Sequence, residues 1–350
     1  MFKNVLVYRI GPAWAPDLSK IEAALDTQRF EECGANQEVS LGWTEPRGEA
    51  GGALVESVGG QWILKMMVES KSVPAAVVKR KAQQRLDEIE ATTGRKPGKK
   101  EARDIRDDVK LSLLPLAFTK RGSVLVWIDP TERLMVVDAG SQSRADDIIT
   151  SLVKNLDGFA VMQLNTQLAP STAMATWLTT QEPPAGFSID RECELKAADE
   201  SKAVVKYARH PLDIEEVRQH VADGKMPTKL AMVWEDRVSF ILTEGLQVKK
   251  VTFMDGVFDG TSKEKEDGFD ADVAIGTGEM RELIPALLMA LGGEVVMDAS
   301  APAADAPGAL ASAGATVVKD APAGSMAAAA ATLVSSGNTA PENWPADAPF

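Results

Sequence analysis

The sequence predicts an α+β fold built from mixed, mostly antiparallel sheets with helices beside them. Short apolar runs rich in β-branched and aromatic residues indicate strands, and stretches with apolar residues every three or four positions indicate helices. These two patterns occur in clusters and do not alternate as regular βαβ units. A doubly wound parallel sheet is therefore not expected.

Nine short segments have the composition of strands bounded by turn residues. Asp129, Pro130 and Thr131 form a turn between the third and the fourth segment, and Glu235 with Asp236 forms a later one. Strands joined by such short turns are expected to pair antiparallel. The predicted strands are 3–10, 61–68, 123–128, 134–138, 202–207, 230–234, 237–242, 248–254 and 271–275.

Three helices are predicted from a residue that can cap the first turn, followed by apolar residues at helical spacing. One of them has the spacing of a capping box, with Asp in place of the usual Ser or Thr. Pro285 is expected to kink or restart the last one. The predicted caps are Ser141 or Ser143, Asp213 with Glu216, and Thr277, for helices that reach Leu156, pass Val221 and end at Gly292.

Residues 74–90 and 99–114 are two further helical patterns, joined by the segment 91–98, whose Gly and Pro residues break both. Together they predict a helical hairpin with a basic tip. Residues 71–121, which contain it, carry fourteen Lys and Arg against seven Asp and Glu, in a chain of formal net charge −13. A local positive excess in an acidic protein suggests a site for a polyanion.

The second helix of the hairpin separates its charges by face. At 100° per residue, Lys99, Arg103, Arg106 and Lys110 fall within roughly 60° of arc, beside an apolar stripe and away from an acidic side. A solvated face with i,i+4 ion pairs is the competing interpretation, and it stays open at this point. The apolar stripe is Ile105, Val109 and Leu113, and the acidic side is Glu101, Asp104, Asp107 and Asp108.

Other classes of protein find little support in the composition. The chain has two histidines and two cysteines, Cys33 and Cys193, which excludes most His-based zinc sites and a disulfide framework. No cofactor is expected. Because no apolar run approaches a membrane span and the N-terminus lacks a signal-peptide pattern, we expect a cytoplasmic protein without membrane contact.

Two motif-like segments do not support a catalytic assignment. The segment GRKPGKK at 94–100 lacks the glycine spacing and the Ser or Thr of a phosphate-binding loop. A group of aspartates could be imagined as the metal site of a nuclease, but a solvated loop is the preferred interpretation because no calcium-loop spacing matches. These aspartates are Asp255, Asp259, Asp267, Asp270 and Asp272.

Two features are predicted to lie outside the helices and strands. Phe118 follows the hairpin within the apolar segment LLPLAF, so it is either a core residue or a contact with a partner chain or nucleic acid. Residues 298–350 contain 19 Ala and 6 Pro without periodicity, which predicts a disordered tail. The end of this tail, ENWPADAPF, resembles the acidic, Pro-Phe-ended tip of single-stranded DNA-binding proteins, and a partner-binding hook is a minor alternative.

Several blocks of the sequence resemble one protein family, in the same order. They are FKNVLVYRI, SLLPLAF followed by VWID and MVVDA, TKLAMVWEDRVSF, and FDADVAIGTGEMRELIPALLMALGGE. Together they reach from Met1 to Glu294. This stretch is similar to the recombination-associated protein RdgC family.

The resemblance implies a protein that is not an enzyme, that binds DNA with little sequence preference and that restrains recombination promoted by RecA. It also implies a horseshoe-shaped subunit, two of which close into a ring around double-stranded DNA, in the cytoplasm and associated with the nucleoid. A ring with an acidic exterior and a basic lining would explain the charge segregation. Single-stranded DNA is a further candidate ligand, and direct contact with RecA stays open.

The resemblance also assigns roles to individual residues. Phe118 matches an aromatic residue at a dimer contact, and Arg209 with His210 matches a polar and basic pair at a second closure point or at the hole. Leu116 and His210 depart from the residue types expected there, so a different local closure chemistry is expected. The predicted DNA contacts, from the resemblance and the basic region together, are Arg95, Lys96, Lys99, Lys100, Arg103, Arg106, Lys110, Lys120, Arg121 and Arg209.

We therefore predict four regions and one principal function. Residues 1–70 and 122–170 form a central α+β region, 71–121 the hairpin, 171–297 a C-terminal α+β region, and 298–350 the tail. The predicted function is non-sequence-specific binding of double-stranded DNA by a ring-shaped homodimer. The alternatives are a protein-interaction module that uses the hairpin on an acidic partner and, more remotely, a metal-dependent nuclease.

Overall fold

A computed structural model describes residues 2–254, 256–257 and 265–295 of the chain, and these residues belong to one compact unit. Within them, twelve strands form one sheet in which every strand pair is antiparallel.

The strands have the following bounds. They are β1 (Asn4–Ile10), β2 (Val39–Thr44), β3 (Val55–Val58), β4 (Gln61–Lys71), β5 (Thr119–Asp129), β6 (Leu134–Asp138), β7 (Val161–Gln163), β8 (Phe187–Ala197), β9 (Val204–Ala208), β10 (Lys225–Trp234), β11 (Val238–Thr243) and β12 (Val248–Phe253). In the sheet, the strand order is β2-β4-β5-β6-β1-β12-β11-β10-β8-β9, with β3 beside β4 and β7 beside β1. The helices are α1 (Leu18–Asp26), α2 (Ala75–Thr93), α3 (Lys99–Leu113), α4 (Gln142–Asn155), α5 (Pro170–Thr180), α6 (Glu215–Ala222) and α7 (Lys265–Ala290), with a 3₁₀ turn at Leu114–Leu116.

Strand β1 joins the two halves of the sheet. It pairs with β6 over five residues and with β12 through Asn4 and Val5.

One hydrophobic core contains buried residues of α5, α6 and α7, and a second contains buried residues of α1 and α4. The predicted α+β class and the antiparallel pairing are therefore confirmed, whereas the horseshoe, the ring and the division into regions stay predictions.

The two predicted turns form the hairpins that the sequence indicated. Between β5 and β6, the buried carboxylate of Asp129 accepts hydrogen bonds from the backbone N–H groups of Thr131 and Glu132, each at 2.9 Å. Between β10 and β11, Glu235 and Asp236 are the central residues of a turn closed by the hydrogen bond from the backbone N–H of Arg237 to the carbonyl of Trp234 at 2.9 Å. Their φ values of 48° and 53° lie in the left-handed region that a type I′ turn requires.

One predicted strand is wrong. Residues 271–275 lie inside α7, where Val273, Met280 and Leu287 are buried at spacings of seven residues. Thr277 does not cap this helix, because its hydroxyl donates to the carbonyl of Val273 within the helix at 2.7 Å. The helix continues through Pro285 and does not restart there.

The predicted capping box is also wrong. Helix α6 begins at Glu215 with Ile214 at its cap position and no side-chain cap. The carboxylate of Asp213 instead accepts a hydrogen bond from the guanidinium of Arg218. The sequence reading also missed two helices, α1 and α5, and four strands, β2, β3, β7 and β8.

Candidate nucleic-acid interface

The basic region folds as the predicted helical hairpin. Helix α2 ends at Gly94, whose φ of 66° is the left-handed conformation that terminates a helix, and α3 begins after Gly98. The two helices pack through a small apolar seam that the structure keeps separate from both main cores. The seam consists of the buried Ala82, Val109 and Leu113 with the partly buried Val73, Val77, Val78 and Ile105.

The predicted apolar stripe of α3 is therefore the surface that packs on α2, and this packing fixes where the charges point. Lys99, Arg103 and Arg106 are exposed beside the seam. Within the described residues, none of these three side chains forms an ion pair, and the same holds for Lys96 and Lys100 at the tip. Five of the predicted DNA contacts thus carry positive charge that no described carboxylate neutralises.

Three other predicted contacts, Arg95, Lys110 and Arg121, form ion pairs with carboxylates. Arg95 at the tip pairs with Glu101 at 3.0 Å, on the first turn of α3. Lys110, at the base of the hairpin, pairs with Glu38 at 2.6 Å. The local positive charge is therefore smaller at the base than the sequence count suggests.

Arg121 is the most strongly held of these cations. Its guanidinium binds Glu69 at 2.6 Å and also Glu32. Glu69 is only 1% exposed, and the hydrogen bond from Arg121, together with one from the backbone N–H of Cys33, holds the pKa of its carboxyl below the usual range. Arg121 thus anchors the segment before β2 to the sheet, which competes with a role in DNA contact.

The segment 31–38 as a whole lies against the base of the hairpin. Besides its carboxylates, it offers the carbonyl of Gly34 to the ammonium of Lys71 at 2.7 Å, and the carbonyl of Glu38 to the backbone N–H of Lys71 at 2.8 Å. Sequence reasoning missed these acidic partners. No local signal marks them, since Glu38 is separated from Lys110 by 72 residues.

Phe118 is not a core residue. It is 93% exposed, and Leu116 two positions earlier is 78% exposed. Leu116 is the last residue of the 3₁₀ turn that ends the hairpin, and Phe118 follows this turn. An apolar pair this exposed at the end of a charged hairpin is typical of a contact surface, whose partner stays a prediction.

Arg209 and His210 lie in a different part of the fold. They follow β9, the last strand in the sheet order, whereas the hairpin connects β4 to β5 near the other end. Arg209 has φ of 55°, and the backbone N–H of His210 donates to the carbonyl of Arg191 at 3.1 Å. The structure therefore does not bring this pair together with the hairpin residues in one chain.

The aspartates considered for a nuclease do not form a metal site in the part of the chain that the structure describes. Asp255 and Asp259 lie outside it, and so does the side chain of Asp267. Asp270 belongs to α7, which corrects the loop interpretation, and its carboxylate pairs with Arg47 at 2.5 Å. The described residues contain no group of three or more His, Cys, Asp or Glu placed to hold a metal ion.

The two cysteines are free thiols, of which Cys193 is buried and Cys33 partly buried. Burial raises the pKa of Cys193 to about 12, and burial with the neighbouring Glu69 raises that of Cys33.

Among the described helices, none is long and apolar enough to cross a membrane.

Comparison with known proteins gives a consistent result. A family model described as "Putative exonuclease, RdgC" matches residues 1–294. The recombination-associated protein RdgC of Dechloromonas aromatica is 44% identical over 301 residues, covering 84% of this chain and 98% of the relative. Those of Janthinobacterium sp. and Cupriavidus pinatubonensis are each 40% identical, with the same two coverages. The resemblance found in the sequence is confirmed, and the chain belongs to the RdgC family.

Proposed function

We propose that this protein binds double-stranded DNA without sequence preference through the hairpin of α2 and α3. The observation that carries the proposal is the row of exposed cations Lys99, Arg103 and Arg106 beside the packed seam. From Lys99 to Arg106 this row spans about 10 Å of helix axis. At an axial rise of about 3.4 Å per phosphate on one strand, it can follow about three phosphates.

Binding of this kind would depend on phosphates and not on bases. Lys and Arg contacts to phosphate fix the position of a protein on the duplex, but they carry no sequence information directly. Single-stranded DNA offers the same groups and is a second ligand under this proposal.

We further propose that two copies close into a ring around the duplex and that the ring restrains recombination by RecA. The exposed Phe118 would lie at one contact between the copies, and Arg209 with His210 at the other. The acidic remainder of a chain of net charge −13 would then face outward, away from the phosphates. Under this proposal the protein is not an enzyme, acts in the cytoplasm on the nucleoid, and opposes RecA either on the DNA or by direct contact.

The test reverses the charge of two residues in the row. We expect the double variant Arg103→Glu, Arg106→Glu to bind duplex DNA more weakly and to lower the slope of log K against log salt by about 1.8, about 0.9 for each lost phosphate contact. The matched control is Lys20→Glu, Lys154→Glu, which makes the same change in net charge away from the hairpin. A double variant with the slope of the unaltered protein would refute the proposal.

A protein-interaction module is the second candidate, and the exposed Leu116 and Phe118 favour it. In that case the hairpin would bind an acidic protein, and duplex binding would show no dependence on salt. The description of the family model as a "putative exonuclease" keeps a nuclease as a third candidate. Magnesium-dependent degradation of a linear duplex that Asp270→Ala abolishes would support it, whereas binding that leaves linear and circular DNA intact supports the proposed function.

A further inference from the structure

Part of strand β5 has one free edge. Strand β4 pairs with it from Thr119 to Ile128, but β6, on its other side, pairs only from Val126 to Asp129. Within the described residues, the edge of 119–125 that faces away from β4 therefore has no strand partner. Some of its backbone N–H groups are left to bind something other than a strand.

An open groove of about 230 Å³ lies along this segment, between the sheet and the first turn of α4. Lys120, Arg121 and Arg144 contribute to its walls, and Val68, Ser70 and Gly122 also line it. Arg121 is held by its carboxylate partners, which leaves two cations. A Cβ atom placed on Gly122 would meet no other atom within 4 Å, so the backbone is open to a ligand there. The groove combines two long cations with accessible backbone.

The two cations are available to a ligand, in contrast to Arg121 beside them. Lys120 is exposed and forms no ion pair within the described residues. Arg144 has one such contact, with Asp147 on its own helix, at a distance of 3.7 Å, and both side chains are well exposed. A pair this long and this exposed contributes little, so an anion in the groove can replace it.

We propose that this groove binds a backbone phosphate of DNA and that Arg144 is a further DNA contact. The inference rests on the proposed function, which it extends from the hairpin onto the sheet. Chain continuity supports it, because α3 leads through the 3₁₀ turn directly into β5 and Lys120. A guanidinium suits a phosphate in particular, since its planar array of donors can bind two phosphate oxygens at once.

A phosphate fits the groove better than an added peptide strand does. Lys120 places charge on the free edge, a pattern that natural sheets use to prevent the addition of further strands. An acidic peptide would use the same cations, but it would leave the salt dependence of duplex binding unchanged when they are removed. That difference separates the two ligands in one experiment.

The experiment measures the affinity of the full chain for a duplex across a salt series, with Arg144→Gln, Lys120→Gln and the control Lys154→Gln. Lys154 lies in the last turn of α4, so its variant changes the charge of the same helix away from the groove. For Arg144→Gln we expect a slope lower by about 0.9 and an affinity reduced about fivefold at 0.15 M salt. As a second readout, duplex DNA should protect Arg144 from an arginine-specific reagent, as detected by mass spectrometry.

The possible results distinguish a failure of the groove assignment from a failure of the proposed function. If Arg103→Glu, Arg106→Glu weakens binding while Arg144→Gln matches Lys154→Gln in slope and Arg144 is not protected, the groove assignment is overturned and the proposed function stands. If the unaltered chain shows no salt-dependent duplex binding, both are overturned. A lowered slope with protection of Arg144 supports the groove as a phosphate site.

Discussion

Glu38 is expected to weaken DNA binding by occupying a cation of the hairpin. Its carboxylate lies 2.6 Å from the ammonium of Lys110, which follows Lys99, Arg103 and Arg106 on the same side of α3. The variant Glu38→Gln removes the negative charge and keeps the size of the side chain. If Lys110 then contacts a phosphate, the slope of log K against log salt should steepen by about 0.9, and the affinity at 0.15 M salt should rise about fivefold.

Removal of the nearby Glu32 carboxylate should have a different effect on DNA binding from removal of the Glu38 carboxylate. Glu32 binds Arg121, but Arg121 also binds the buried Glu69. Removing Glu32 alone therefore leaves the guanidinium held, and Glu32→Gln should leave the slope unchanged. Two variants with the same change in charge, only six residues apart, should thus differ in their effect on DNA.

The assay is duplex binding by fluorescence anisotropy over a salt series, with Glu200→Gln as the control. Glu200 is exposed between β8 and β9, near the opposite end of the strand order. Stability should hardly change, because both partners of the Lys110–Glu38 pair are about half exposed and such pairs contribute about 0–1 kcal/mol. If Glu38→Gln and Glu200→Gln have equal slopes, Lys110 does not reach a phosphate and the reasoning is refuted.

Three further predictions concern the dimer, the hairpin and pH. Phe118→Ser should convert a dimer to a monomer in light scattering and leave the circular dichroism spectrum unchanged, since the phenyl group of Phe118 is exposed in the single chain. A variant that stays dimeric would contradict this prediction. Leu113→Ala should lower the stability of the hairpin by about 2–5 kcal/mol, because the seam has only three buried residues. Hydrogen exchange should then become faster in α2 and α3 and stay unchanged in the sheet. Exchange that becomes faster in the sheet as well would contradict a separate seam. The ammonium of Lys206, with Lys229 and Thr228, lowers the pKa of Glu194 from 4.5 to about 2, so Glu194→Gln should destabilise the protein above pH 4.5, and progressively less as the pH falls toward 2. Chemical unfolding at several pH values would show a constant difference if this assignment is wrong.

The hairpin was predictable because its signals are local. Gly94 and Gly98 bound the connection, and the apolar residues of α3 recur at helical spacing, so both helices begin and end within a few residues of the expected positions. Residues 271–275 were misread for the opposite reason. The short, mostly apolar run ADVAI fits a strand when it is considered alone. Only the longer recurrence of Val273, Met280 and Leu287 indicates the buried face of a helix.

The availability of each cation was not predictable from the sequence. A helical wheel places Lys110 in one row with Lys99, Arg103 and Arg106, yet only the fold brings Glu38 within 2.6 Å of it. The same applies to Arg144, which reaches the groove of β5 because β6 stops pairing at Val126. Pairing partners far apart in the chain depend on sheet order, which composition and periodicity do not determine.

The ion pairs determine which cations of the basic region are available to bind a polyanion. At the base of the hairpin, carboxylates hold Lys110 and Arg121, while the row on α3 and the groove cations Lys120 and Arg144 keep their charge available. A polyanion would therefore meet positive charge on two surfaces, the hairpin and the free edge of β5. Because each surface offers only a few contacts, either surface alone should bind weakly and with a small salt dependence. Binding should become tight and strongly salt-dependent only where both surfaces engage one duplex.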